Sequence, residues 1–233
     1  MRPIRRVWIT RARPGAARTA DRLTEMGFEP LVAPLLAIHP IPDALATAPD
    51  LTTAAALAFT SPNGVAAFAA LTPLLRDRPV FAVGDATAEA ARAAGFADAR
   101  SAGGDIHALA RLIDESWAAD SGLILNPGPR RPAGDLSHLM PGLMIAALPV
   151  YEAVETGAAP PDAFEAVLIH SPRGAEALRA TLPAGAAKDR LAVCISPTAA
   201  VPLAALSFAE IRIADTPDEL AMLAALGKAA RPV

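Results

Sequence analysis

The chain has 233 residues, a formal net charge of −3 and a hydrophobic fraction of 53% that is raised by its alanines. Its length fits one large domain or two small ones; its mild acidity excludes the basic field that tracks nucleic acid or an anionic membrane surface, and no apolar run approaches the roughly 20 residues that span a bilayer. Its single cysteine excludes an intrachain disulfide and a thiolate metal cluster, and the position of Cys194 between Val193 and Ile195 predicts a buried structural thiol.

From the N-terminus, a strand predicted at Arg6–Thr10 leads into a helix at Gly15–Met26 and a strand at Glu29–Ala33. Proline-rich Pro34–Pro49 follows, with an extended piece at Leu35–Ile41. Strands are then predicted at Leu57–Thr60, Val80–Val83 and Ala97–Ser101, followed in turn by helices at Pro62–Leu74, Ala86–Ala94 and Ile106–Ala118. Next come a strand at Leu123–Asn126, a helix at Arg131–Met140, a strand at Leu143–Leu148 and a second extended piece at Pro149–Val154. The remainder has strands at Ala166–Ile169, Leu191–Ile195 and Glu210–Ala214 and helices at Pro172–Thr181, Thr198–Leu206 and Pro217–Ala230. Alternation of strand and helix throughout predicts parallel α/β sheets with helices on both faces. Ser61 and Ser171, each before a proline in the first helical position, read as N-caps, and Thr216-Pro217-Asp218-Glu219 has capping-box spacing.

The chain also repeats itself. Leu57–Gly64 (LAFTSPNG) returns as Val167–Gly174 (VLIHSPRG), Arg78–Ala102 is echoed by Arg190–Ala214, and Trp8–Leu36 is matched more loosely by Leu123–Tyr151. A repeat of this length points to two similar domains and not to a solenoid, with one cleft between them. The two extended pieces then read as linkers that cross between domains and pair as a short antiparallel ladder. The fold class expected is α/β, with two doubly wound parallel-sheet domains of flavodoxin type joined by a two-stranded linker. The first domain is discontinuous, residues 1–35 plus 156–233; the second is 42–148; residues 36–41 and 149–155 are the linkers.

No HExxH, CxxC, Walker loop, G-x-S-x-G or G-x-G-x-x-G motif is present, and the spacing of His39, His107, His138 and His170 suggests no metal site. What remains is the strand-to-helix turn, where free backbone N–H groups and the helix dipole favour anions beyond the carboxyl ends of parallel strands. The turns Thr60-Ser61-Pro62-Asn63-Gly64, Gly84-Asp85-Ala86-Thr87, His170-Ser171-Pro172-Arg173-Gly174 and Ser196-Pro197-Thr198 are candidates, two per domain; plain helix capping is the competing account of each. The turns Thr10–Gly15 and Asn126–Arg131 add Arg11, Arg13 and Arg130, whose guanidinium forks suit carboxylates. Tyr151, the sole tyrosine, falls in the second linker, either as a hydrogen-bond donor to a leaving group or as a packed hinge aromatic.

Taken in order, Thr10-Arg11-Ala12-Arg13-Pro14, Phe59-Thr60-Ser61-Pro62-Asn63-Gly64, Val83-Gly84-Asp85-Ala86-Thr87-Ala88 and Pro149-Val150-Tyr151 make the chain resemble the uroporphyrinogen-III synthase family over nearly its whole length. The resemblance implies two α/β domains on a two-stranded linker, no cofactor, no metal, and a substrate, hydroxymethylbilane, that is a linear tetrapyrrole bearing eight carboxylates. It implies loss of the terminal hydroxyl from ring A, attack by ring D through its substituted carbon to give a spiro intermediate, and reclosure with ring D inverted. Tyr151 matches the family's linker tyrosine and is expected to assist hydroxyl departure as a hydrogen-bond donor. Arg11, Arg13, Thr60, Ser61, Asn63, Thr87, Arg130, Ser171 and Thr198 are expected to bind substrate. The chain departs from the family's usual pattern at His170-Ser171, Ser196-Pro197-Thr198, Glu152-Ala153 and Asn126–Pro129.

The expected setting is a cytoplasmic monomer, since Val7-Trp8-Ile9 runs at once into Thr10 and Arg11 and leaves no signal-peptide core. Its partners would be the small-molecule substrate and, transiently, the upstream bilane-forming enzyme, with no nucleic acid and no membrane. The alternatives are a hinge-closing ligand-binding module without chemistry, a diverged paralogue of the synthase, and a two-domain sugar-nucleotide transferase. The last lacks an evident ribose-binding acid or diphosphate turn.

Overall fold

The computed structural model describes residues 4–229. In chain order its elements are β1 (Arg6–Ile9), α1 (Gly15–Glu25), β2 (Glu29–Val32), β3 (Leu36–Pro40), β4 (Ala54–Phe59), α2 (Pro62–Leu71), β5 (Val80–Ala82), α3 (Asp85–Ala93), β6 (Ala99–Ser101), α4 (Ile106–Ser116), β7 (Leu123–Pro129), α5 (Leu136–Leu139), β8 (Ile145–Glu155), β9 (Ala166–Ile169), α6 (Pro172–Thr181), β10 (Leu191–Cys194), α7 (Pro197–Ala200), β11 (Glu210–Ile213) and α8 (Glu219–Leu226). Short 3₁₀ turns lie at Ala44–Thr47, Leu51–Thr53 and Val201–Ala205. The chain divides into two compact units, Met1–Ala37 with Val154–Val233 and Ile38–Ala153.

In the first unit the strands lie in the order β2-β1-β9-β10-β11, all paired in parallel. This is the 2-1-3-4-5 order of a doubly wound sheet, with its reversal point between β1 and β9. Strand residues alternate between two apolar layers. Trp8, Val167, Ile169, Ala192 and Cys194 pack with Ala175 and Leu178 of α6 and Ala199 of α7. Val7, Ile9, Leu168, Leu191 and Val193 pack with Ala16 and Leu23 of α1 and Met222, Leu223 and Leu226 of α8. Both faces are covered, which is why these strands read as unbroken apolar runs.

The second unit uses the same plan in permuted order. Its sheet runs β3-β8-β7-β4-β5-β6, so β7 and β8 take the places that β1 and β2 hold in the first unit, and β4, β5 and β6 those of β9, β10 and β11. Helices α2 and α3 cover one face through Val65, Phe68, Ala88 and Ala91, and α4 and α5 the other through Leu109, Ile113 and Leu136. The permutation is echoed in detail. Thr10 Oγ1 donates to the Leu168 carbonyl at 2.7 Å, and Asn126 Nδ2 donates to Ala58, the residue matching Leu168 in the repeat, at the same distance. Strand β3 lies beside β8, with Ile41 N–H donating to the Val150 carbonyl at 3.0 Å.

Several elements differ from the sequence expectation. The helix expected over Arg131–Met140 is reduced to Leu136–Leu139, because Pro132 and Gly134 oppose helix and Asp135 caps only the short turn that follows. The helix expected over Thr198–Leu206 breaks into α7 and a 3₁₀ turn at Val201–Ala205, where Pro202 supplies no N–H. Asn126–Pro129 is strand and not turn, since β7 continues through an irregularity at Gly128/Pro129 to pair with Tyr151. The strand at Leu143–Leu148 and the piece at Pro149–Val154 are one continuous strand, β8. Asp218, not Thr216, caps α8 by accepting from Ala221 N–H at 2.9 Å; the helix ends at Gly227, whose φ of 89° suits glycine, and Ala230 of the expected helix lies outside the described residues.

Candidate functional site

Because the strands of each core are parallel, the turns after β4 and β5 share one edge of their sheet, and those after β9 and β10 share one edge of theirs. At a sheet's reversal point, adjacent helices leave to opposite faces and the turns splay apart, opening a crevice lined by backbone donors. In the second unit that point lies between β7 and β4. There Ser61 caps α2, its Oγ accepting from Gly64 N–H at 3.2 Å, and the same Oγ lies 3.1 Å from the Tyr151 hydroxyl, with either oxygen able to donate. Tyr151 projects from β8 and is only 6% exposed. Gly64 lets the start of α2 lie close to β7, since a Cβ on it would stand 2.8 Å from the Pro127 carbonyl. A hydroxyl pair is thus held at the positive end of α2, where a developing negative charge is stabilised.

In the first unit the reversal point lies between β1 and β9 and is charged. Arg11 Nη1 donates to Glu219 Oε2 at 2.7 Å, Thr19 Oγ1 donates to Glu219 Oε1 at 2.6 Å, and His170 Nε2 lies 3.3 Å from Glu219 Oε2. Side-chain exposure is 7% for His170, 16% for Glu219 and 28% for Arg11. Neither His170 ring nitrogen makes an aligned hydrogen bond among the described residues. Burial lowers the His170 pKa and keeps the ring neutral at pH 7. Burial works to raise the Glu219 carboxyl, but its contacts with His170, Thr19 and Arg11 outweigh that and bring it to about 2. Burial also lowers the Arg11 guanidinium, which stays protonated beside Glu219.

The family model described as uroporphyrinogen-III synthase HemD matches residues 17–224. The chain belongs to the uroporphyrinogen-III synthase family. It is thereby a cyclising lyase of tetrapyrrole biosynthesis, which a small-molecule tetrapyrrole substrate fits. Solved structures share the fold: uroporphyrinogen-III synthetase from Helicobacter pylori is 18% identical with a TM-score of 0.66, over 95% of this chain and 97% of that one. A mutant uroporphyrinogen III synthase from Thermus thermophilus is 17% identical with a TM-score of 0.58, again over 95% and 97%. Among curated proteins, none matches the sequence.

The residues that the synthase resemblance singles out fall into distinct settings. Ser61 and Tyr151 meet, and Thr60 and Asn63 flank them half-buried in the same turn. Thr87 is buried in the first turn of α3, whose cap, Gly84, offers no side chain. Ser171 caps α6 by accepting from Gly174 N–H at 3.0 Å, while Thr198 is exposed with its hydroxyl 3.0 Å from Ser196 Oγ. Arg130 is exposed, with Nε 3.5 Å from Glu152 Oε2 and its N–H on the Tyr151 carbonyl at 2.8 Å. Arg13 is exposed and makes no hydrogen bond or ion pair among the described residues. Arg11 has part of its charge answered internally by Glu219, which the expectation of an open arginine did not include.

Thr19 and Glu219 are absent from the expected site residues, and His170 entered only as part of the candidate turn His170-Ser171-Pro172-Arg173-Gly174. Glu219 reads locally as part of a capping box, and its partners Arg11 and Thr19 are 208 and 200 residues away, so no spacing rule reaches them. Among the described residues no group of three or more His, Cys, Asp or Glu could hold a metal ion, and no helix is long and apolar enough to cross a membrane.

Proposed function

We propose that the chain closes hydroxymethylbilane to uroporphyrinogen III with inversion of ring D, and that Tyr151 assists departure of the ring A hydroxyl. The observation that carries this reading is the 3.1 Å contact between the Tyr151 and Ser61 hydroxyls at the N-terminus of α2. When Ser61 is the donor of that pair, the Tyr151 hydroxyl directs its own proton to the leaving hydroxyl. Loss of that hydroxyl leaves a conjugated azafulvenium cation. Attack by the substituted carbon of ring D gives the spiro intermediate, which fragments and recloses with the ring reversed. The protein's part is orientation and exclusion of water, because unassisted closure gives the uninverted isomer.

In this reading the substrate's carboxylates are held by backbone donors and hydroxyls at the sheet edges: Thr60, Ser61, Asn63 and Thr87 in the second unit, Ser171 and Thr198 in the first. Arg11, Arg13 and Arg130 add charge. Main-chain donors require no particular side chain, which accounts for binding of a polyacid without a basic surface. The enzyme works without metal or cofactor as a cytoplasmic monomer, meeting the bilane-forming enzyme only transiently. Freshly generated hydroxymethylbilane is the test substrate, with the product isomer identified by chromatography. Formation of the inverted isomer supports the reading; binding of the bilane with only the uninverted isomer formed favours a ligand-binding module, and neither binding nor inverted product refutes it.

A further inference from the structure

The charged cluster of the first unit has no counterpart in the second, although both build the same corner of the same fold. Aligned through strand pairing and helix caps, Arg11 corresponds to Gly128, His170 to Thr60 and Glu219 to Ile106. Ile106 packs against Gly134, where a Cβ would meet its Cδ1 at 3.0 Å, and joins the apolar layer under α4. A half-buried ion pair is seldom more stabilising than a packed apolar contact in the same place, so the fold alone does not call for Arg11 and Glu219.

The surroundings of Arg11 point to a ligand. Its guanidinium lies against the backbone at the start of α1, where a Cβ on Gly15 would stand 2.6 Å from Nε. Cap residue Pro14 offers no side chain there, so a cation occupies the positive end of a helix and Glu219 offsets it. Among the described residues the bond to Glu219 is the guanidinium's only hydrogen bond, which leaves most of its five N–H donors unengaged on a partly exposed side chain. His170 stands nine-tenths buried at the same reversal point with both ring nitrogens unaligned to any acceptor or donor.

We propose that Glu219 is a positioning residue for substrate binding: tethered by Thr19, it fixes Arg11 so that its unengaged N–H groups meet a carboxylate of the tetrapyrrole. The proposal rests on the synthase reading above, and the Arg11 guanidinium, not Glu219, makes the contact. Glu219 supplies geometry, sparing the long arginine side chain an ordering loss on binding.

The test is a double-mutant cycle on the full chain, reading KM and kcat for hydroxymethylbilane, with circular dichroism and thermal unfolding to establish that each variant is folded. Glu219→Ala is expected to raise KM about tenfold with kcat within twofold of wild type. Arg11→Ala is expected to raise KM by a similar factor, and the double variant by no more than either alone, since the second substitution removes nothing further. Should Glu219→Ala fail to fold, Glu219→Gln and Thr19→Val, which preserve shape, are each expected to raise KM several-fold. An unchanged KM in folded Glu219 variants, a fall in KM, or additive effects in the cycle overturns the proposal. Loss of kcat at constant KM also overturns it, by assigning the cluster to structure. A wild-type protein that does not turn over the bilane refutes the synthase reading instead, so the two failures are distinguishable.

Discussion

Replacing Tyr151 with phenylalanine removes one oxygen and leaves the ring in place. The ring belongs to the same buried apolar cluster as Leu57, Phe59, Leu125 and Val150, and it keeps its place there. The structural loss includes the hydrogen bond to Ser61, worth about 0.5–1.5 kcal/mol net, while Ser61 retains its cap bond to Gly64 N–H. If the phenol donates to the departing hydroxyl in the transition state, the variant forfeits that bond as well. A single neutral donor of about 1.4 kcal/mol corresponds to about tenfold in kcat, whereas an obligatory general acid would be worth about 10²–10⁴. We expect kcat for freshly generated hydroxymethylbilane to fall about tenfold with KM within twofold, and the urea midpoint to fall by an amount that includes the loss of the Ser61 hydrogen bond. An unchanged kcat removes Tyr151 from the chemistry; a loss beyond about a hundredfold makes it an acid and not merely a donor. A rise in KM at constant kcat moves its role to binding.

Ser61→Ala and Ser171→Ala each delete the N-cap of a ten-residue helix and should each lower stability by about 1 kcal/mol in urea unfolding. Both should raise KM, and Ser61→Ala should in addition lower kcat, because the Ser61 hydroxyl meets that of Tyr151. Acid should destabilise the first unit. His170 has a lowered pKa and Glu219 is held at about 2, so the unfolded chain binds more protons than the folded one below the ordinary values of 6.5 and 4.5. The melting temperature should therefore fall as pH drops below about 6.5 and again below about 4.5, and Glu219→Gln should reduce the second phase, to which Glu165 and Asp218 of the same unit also contribute; a melting temperature flat from pH 7 to 3 would contradict the cluster's electrostatics. Burial pushes the Cys194 thiol up to about 12, so iodoacetamide should leave the native protein unlabelled at pH 8 and label it in denaturant, as mass spectrometry reads directly. Dialysis against EDTA should leave turnover intact, and a loss restored by added metal would contradict the cofactor-free reading.

Much of the fold is legible in the chain because its signals are local. Ala166–Ile169 and Pro172–Thr181 are bounded in the structure as composition bounds them, since an aliphatic run followed by Ser171-Pro172 carries its own strand end, cap and helix start. Prediction slips where two local rules compete. Pro127 and Pro129 mark a turn by composition, yet pairing with β8 keeps that segment extended; Arg131–Met140 has helical spacing, yet Pro132 and Gly134 confine the helix to one turn.

The candidate site divides along the same line. Ser61 and Ser171 declare themselves as caps because a cap reaches only three residues along the chain, and the repeat of both turns shows directly that two α/β units are built from one pattern. The meeting of Ser61 with Tyr151 spans 90 residues and that of Arg11 with Glu219 spans 208. Such pairs depend on strand order and register, which no window of sequence contains, and so it is folding that brings a tyrosine of β8 to a cap serine of α2 and a glutamate at the start of α8 to a half-buried arginine.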